Sequence, residues 1–221
     1  MNDTFELMKA RHSVRSYLDK PVEEEIRSQL VSYAQTLNAE SGLNIQIIFD
    51  EPSCFDSRMA HYGKFENCSN YISMVGKKSP SLDMECGYYG ELLVLKAHEL
   101  GLNTCWVALT HGKSKAVVAD DEKEAIIISL GYGKIQGTER KSKTPEEVSN
   151  VSADSPQWFK DGIAAALLAP TAVNQQKFRF TLSGNKVSVK PGLIGSCLKI
   201  DLGIVKCHFE LGAGKDNFEW V

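Results

Sequence analysis

Apolar positions along the first half of the chain alternate between helical and strand periods. Ile26, Leu30, Ala34 and Leu37 recur at helical spacing. They predict a helix that starts at Asp19-Lys20-Pro21, carries Glu23, Glu24 and Glu25 in its first turn, and stops at Gly42. A shorter helix precedes it, with Asp3 and Glu6 at the spacing of a reciprocal cap and an end near Ala10. Residues 44–49, NIQIIF, read as a strand, and Tyr71–Val75 as another. Leu82, Tyr89, Leu92, Leu93 and Leu100 supply the buried side of a long helix over 81–100, which Gly101 terminates. TCWVAL at 104–109 is a short buried strand, and AIIISL at 125–130 is a strand leaving through the glycine-rich LGYGK.

Two stretches break this rhythm. Residues 51–70, with Pro52, Gly63 and many small polar side chains, read as an irregular excursion or lid. Residues 137–151, including ERKSKTPEE, read as a polar surface connection. The pattern then restarts with a helix over 158–168 that ends before Pro170. A hairpin of 178–182 and 187–189 turns across Ser183-Gly184-Asn185, a last helix covers 199–211, and 218–221 can add an edge strand. Both halves thus read helix, strand, helix, the final helices ending Glu99-Leu100-Gly101 and Glu210-Leu211-Gly212. Two accounts are open: chance likeness of amphipathic segments, or a degenerate duplication dividing the chain into 1–145 and 146–221.

Composition narrows the function classes. With 25 basic and 28 acidic side chains the formal charge is −3, which disfavours nucleic-acid binding driven by bulk charge. No stretch approaches the roughly 20 apolar residues that cross a bilayer. The N-terminal MNDTFELMKARHSVRS lacks the apolar core of an export signal, so a cytoplasmic location is expected. Six cysteines (54, 68, 86, 105, 197, 207) without a CxxC pair are expected to stay reduced. Five scattered histidines lack metal-ligand spacing, so no bound metal is expected.

Two clusters carry candidate chemistry. In Arg11-His12-Ser13-Val14-Arg15, extended alternation would aim Arg11, Ser13 and Arg15 to one side. Two guanidinium forks and a hydroxyl suit a phosphate, and equally form a solvated basic patch. In Ala169-Pro170-Thr171-Ala172-Val173-Asn174-Gln175-Gln176, proline ends a helix, short side chains admit a flat ligand, and Asn174 offers a carboxamide. An ordinary helix-to-strand turn has the same composition.

Taken together, RHSVR (11–15), ECGYYGELLVLKAHELGLNTCW (85–106), SLGYGK (129–134), ERKSKTP (139–145) and APTAVNQQ (169–176) resemble the FMN-dependent nitroreductase family over most of the chain. The resemblance implies an α+β fold, an α/β three-layer sandwich of nitroreductase type. It implies an oxidoreductase that takes hydride from NAD(P)H through FMN to a nitroaromatic, a quinone or a similar small acceptor. A flavin-binding module without turnover, a sensor or store, is the alternative. Arg11, Ser13 and Arg15, helped by His12, would hold the FMN phosphate, with Lys141 and Lys143 as a second basic pair. Pro170, Thr171, Ala172 and Asn174 would line one side of the ring. Val107, Ala108 and Leu109 would lie beside it, with the Ala108 N–H facing flavin N5. Ala108-Leu109 departs from the glycine or glutamate frequent there. The proline-asparagine motif also departs, since it normally follows the arginine motif by a few dozen residues, and its counterpart near 41–44 is lost. The arrangement resembles a branch in which two family units are fused, so that one chain, as a monomer or within a homodimer, builds one site.

Overall fold

The computed structural model describes residues 3–221, without the side chain of Asp3, so the cap expected from Asp3 lies outside the described residues. The first half runs α1 (Asp3–Ala10), α2 (Glu24–Ser41), β1 (Asn44–Ile48), α3 (Arg58–Tyr62), β2 (Asn70–Lys77), α4 (Leu82–Glu99), β3 (Asn103–Val107) and β4 (Glu122–Gly131). The remainder runs α5 (Pro145–Val148), α6 (Gln157–Ala166), β5 (Phe178–Ser183), β6 (Lys186–Pro191), α7 (Leu198–Ala213) and β7 (Glu219–Trp220). The fold is α+β, as expected.

The strands β1-β2-β4-β3 form an antiparallel sheet in that order. Its pleat sorts side chains to two faces. Ile72, Met74, Ile126, Ile128 and Leu130 face the helices, in a core that also takes residues from β5, β6, α6 and α7. Tyr71, Cys105, Val107 and Ile127 face the other way, under Val14, Tyr17, Phe55 and Phe65. The 51–70 stretch is therefore packed against the sheet rather than a lid: the Phe55 and Phe65 rings meet tilted, with centroids 4.7 Å apart, and both are buried. Its turns are capped locally, by the Glu51 carboxylate accepting from Ser53 N and Cys54 N, and by Ser57 Oγ accepting from Ala60 N.

Helix α2 begins at Glu24 rather than at Pro21, because Val22 is buried and holds the lead-in extended against the core. Its stop is as read: Gly42 takes φ 72° and returns its N–H to Asn38 O. Helices α4 and α7 cross so closely that a Cβ on Gly203 would overlap the Met84 carbonyl oxygen and lie 2.6 Å from Tyr88 N. The hairpin β5–β6 packs on α7, and β7 adds a parallel strand to β6.

Candidate functional site

Residues 13 and 14 lie on the free edge of β3, and 15–17 go on to pair with Glu66 and Gly133. Ser13 bridges Thr104 in parallel, and Val14 N donates to Thr104 O at 3.0 Å. Val14 and Tyr17 are buried and anchor the segment, while Ser13 and Arg15 are exposed. Arg11 departs from the expected alternation. Its N–H still donates to Leu7 O at 3.1 Å, extending the turn of α1 by one residue, and this rotates the side chain into the protein, where it is 2% exposed. The three motif residues nevertheless share a neighbour. Burial raises the Cys105 thiol, and Arg15, the Ser13 hydroxyl and Arg11 each pull it back.

The inward turn brings Arg11 to Glu91, a residue of α4 that sequence reading passed over. Arg11 Nε lies 3.8 Å from Glu91 Oε1, and both side chains are buried. Glu91 also accepts from Trp106 Nε1 and pairs with His208 Nε2 of α7, each at 2.9 Å. His208 Nδ1 faces Ala165 O of α6 at 3.1 Å. Both imidazole nitrogens thus have a polar partner. One carboxylate thereby ties α1, β3, α4 and α7, and through His208 also α6. A glutamate within GELLVL and a histidine within KCHFEL were the available signals, since ionisable groups in apolar helical runs need buried partners.

Two cations, Arg11 and Arg140, face one buried carboxylate here, Glu91. Arg140 donates to Leu168 O, and burial, with Arg11 second, lowers its guanidinium to about 10 against a smaller opposing pull from Glu91. Burial and then Arg11 and Arg140 lower the His12 imidazole. Nε and one terminal nitrogen of Arg11, and Nδ1 of His12, are buried without a hydrogen-bond partner. Orphaned donors on a buried cation are costly unless an anion satisfies them.

The connection 137–151 also proves more than surface. It contains α5, opened by a reciprocal Thr144–Glu147 cap, and it docks on the proline-asparagine turn. Asn174 Nδ2 donates to Lys141 O at 2.8 Å, and both Lys143 N and Nζ donate to Gln176, each at 2.8 Å. Within the turn, Gln176 N donates to Thr171 Oγ1, and Asp201 accepts from Ala172 N and Gln175 Nε2 at 3.0 and 2.7 Å. Val173, Asn174 and Gln176 hold φ of 46°, 54° and 44°. For a β-branched valine that region is strained, and surrounding contacts must over-determine it. The Asn174 carboxamide, expected to meet a ligand, is engaged at both ends, since its Oδ1 accepts from Gln176 Nε2. Pro170 is buried, and Thr171 and Ala172 are half-buried.

The expected residues therefore fall into two groups. Ser13 lies beside β3 and Arg15 just beyond it, and Val107–Leu109 run from the last residue of β3 into the bend that follows, with Val107 buried and Leu109 79% exposed. Lys141, Lys143 and Pro170–Asn174 form the second group. Arg11, His12 and Arg140 stand between the two. No hydrogen bond among the described residues ties Val107–Leu109 directly to Pro170–Asn174.

The profile of the family described as "Putative TM nitroreductase" matches residues 3–213. The chain belongs to that family. The fold is also that of solved nitroreductase-like proteins. One, described as a putative nitroreductase of Thermotoga maritima MSB8, is 23% identical with a TM-score of 0.66, over 98% of this chain and 85% of that one. Another, from Desulfovibrio desulfuricans and described as a putative nitroreductase in complex with FMN, is 17% identical with a TM-score of 0.53, covering 71% of this chain and 98% of that one. A third, from Parabacteroides distasonis ATCC 8503 and described as a putative NADH dehydrogenase/NAD(P)H nitroreductase, is 20% identical with a TM-score of 0.53, over 67% and 97%. No curated protein matches the chain. Among the described residues no helix is long and apolar enough to cross a membrane, and no group of side chains is arranged to hold a metal ion.

Proposed function

We propose that this family member is an FMN-dependent oxidoreductase that draws hydride from NAD(P)H and delivers it to a small acceptor of the nitroaromatic or quinone type. The observation that carries the reading is the junction of two cations, Arg11 and Arg140, with His12: Nε and one terminal nitrogen of Arg11 and Nδ1 of His12 lack a hydrogen-bond partner, and the exposed Ser13 and Arg15 follow them in the chain. That donor set fits a phosphate monoester. Family membership and the FMN complex of the Desulfovibrio protein supply the identity of the flavin.

In this reading Ser13 and Arg15 contact the phosphate directly. Arg11 and Arg140 bias the site towards an anion from beneath, and Lys141 and Lys143 extend the positive edge. The turn at Pro170–Asn174 and the residues Val107–Leu109, at and just past the end of β3, flank the ring and keep water from it. FMN supplies the hydride chemistry, which explains why no protein acid–base pair need be sought; the chain contributes binding, orientation and field. The site is proposed to form once per chain, between the halves 1–145 and 146–221.

The test is release of the cofactor on denaturation, followed by anaerobic addition of NADH or NADPH to the intact protein. FMN should be recovered and its visible band bleached. FAD, or no flavin after reconstitution, overturns the assignment. Bound FMN that neither nucleotide reduces would instead assign the protein as a flavin-binding module.

A further inference from the structure

The hairpin β5–β6 places two cations opposite one another: Arg179 pairs in register with Lys190. Like charges directly opposite across antiparallel strands are destabilising, so the arrangement asks for an anion. Two further cations stand beside them. Lys177 Nζ donates to Ile194 O at 2.6 Å, Lys143 Nζ to Gln176 O at 2.8 Å, and Arg179 reaches the carbonyls of Glu146 and Glu147 at 3.3 Å. Neutral carbonyls hold these cations in place without neutralising them.

Lys143, Lys177 and Arg179 line a groove of about 420 Å³, and no carboxylate is among its lining residues. Its other wall is apolar, with Phe178, Pro191 and the aliphatic pair Leu193 and Ile194, which are 102% and 82% exposed. The volume falls within the roughly 300–1,000 Å³ of small-ligand sites. A groove with three cations on one side and a bare aliphatic shelf on the other suits a molecule carrying both phosphate and a flat ring. Lys143 and Gln176 belong also to the junction with the proline-asparagine turn, so the groove adjoins the proposed flavin site.

We propose that this groove binds the phosphate-bearing adenosine end of a nucleotide. Resting on the reading that a pyridine nucleotide reduces FMN here, it favours the 2′-phosphorylated form, NADPH, over NADH. Arg179, Lys177 and Lys143 meet the phosphates, and Leu193 and Ile194 cover the adenine.

The probe is adenosine 2′,5′-bisphosphate, titrated calorimetrically into the intact protein at fixed ionic strength, with inorganic phosphate in parallel. Arg179→Ser should weaken bisphosphate binding roughly tenfold or more, as loss of a charge-assisted contact implies. Its melting temperature should hold or rise, because the opposition to Lys190 is relieved. Lys186→Ser, on the same hairpin but outside the groove, should change affinity less than twofold. Unchanged affinity in Arg179→Ser overturns the site. An equal loss in Lys186→Ser would reduce it to diffuse attraction, and phosphate binding as tightly as the bisphosphate would remove the nucleotide. FMN content is measured on the same samples. Bisphosphate binding without FMN would overturn the flavin reading and leave the groove. FMN binding without bisphosphate would overturn the groove and leave the flavin.

Discussion

Arg15 stands on the exposed side of the 13–17 segment, whose backbone is fixed by Thr104 of β3 and by Glu66 and whose neighbouring side chains Val14 and Tyr17 are buried. If its fork meets the FMN phosphate, Arg15→Ala should weaken FMN binding roughly thirtyfold, and Arg15→Lys should recover only part, since an ammonium lacks the planar fork. Titration of the apoprotein decides it, and unchanged affinity in the alanine variant would return Arg15 to the solvated surface. Glu91 makes a different prediction, because it is wholly buried and answers Arg11, Trp106 and His208 together. Removing one partner of a buried ion pair commonly costs about 3–5 kcal/mol, since the other charge is left stranded. Glu91→Ala should therefore lower unfolding stability by about that amount in urea titrations. Glu91→Gln, which can still accept from the indole, should lose less. A change below about 1 kcal/mol in Glu91→Ala would show that the network is incidental.

The crossing of α4 and α7 sets how the site's two groups of residues meet, since Glu91 and His208 lie on these helices. Gly203→Ala should gain up to about 1 kcal/mol in helix propensity. It should lose more through overlap with Met84 O and Tyr88 N, because forcing a close-packed contact apart costs about 1–3 kcal/mol. Net destabilisation is expected in urea unfolding, and a stabilised variant would contradict the crossing. The turn over 172–175 rests on Asp201 in the first turn of α7. Burial raises that carboxyl from 3.8 to about 6, while hydrogen bonds from Gln175 and Ala172 oppose the rise. A raised folded-state value means the contribution is full below the unfolded value and fades as pH climbs through about 6. Between pH 4 and 7 the protein should therefore lose up to about 3 kcal/mol relative to Asp201→Asn. Denaturation of both proteins across that window gives the difference. A flat or rising difference would mean that the hydrogen bonds outweigh burial.

The hydrophobic core is shared: residues of 1–145 and of 146–221 contribute to one continuous cluster. A single RHSVR segment and a single APTAVNQQ turn are present, and Arg140 bridges towards both. One complete flavin site per chain is the stoichiometry this implies. Flavin absorbance against protein concentration, taken with mass in solution, should give one FMN per chain. Two would contradict the single-site reading, and binding only by an obligate dimer would show that the site is completed between chains.

Much of the architecture was legible from local pattern. The stripe of α2, the stops at Gly42 and Gly101, the strand at 125–130 and the hairpin across Gly184 depend on residues a few positions apart, and the structure follows them; of the stripe read for α4 only Leu82 and Leu93 are fully buried, because that helix packs on several sides. The motifs that mark the family are legible in the same way, as short contiguous words. The partners of buried polar groups were not. Arg11 reads as one of three outward side chains because alternation assumes an extended chain, and one further helical residue at the end of α1 reverses it. Glu91 and His208 are 117 positions apart, and no local period connects them. Asn174 reads as a free carboxamide in the sequence because its partner, Lys141 O, lies 33 positions away and reaches it only when the 139–145 segment folds back. Periodicity encodes which face of an element is buried, because that depends on near neighbours. Which charge meets which depends on how the elements cross, and only the packed chain decides it.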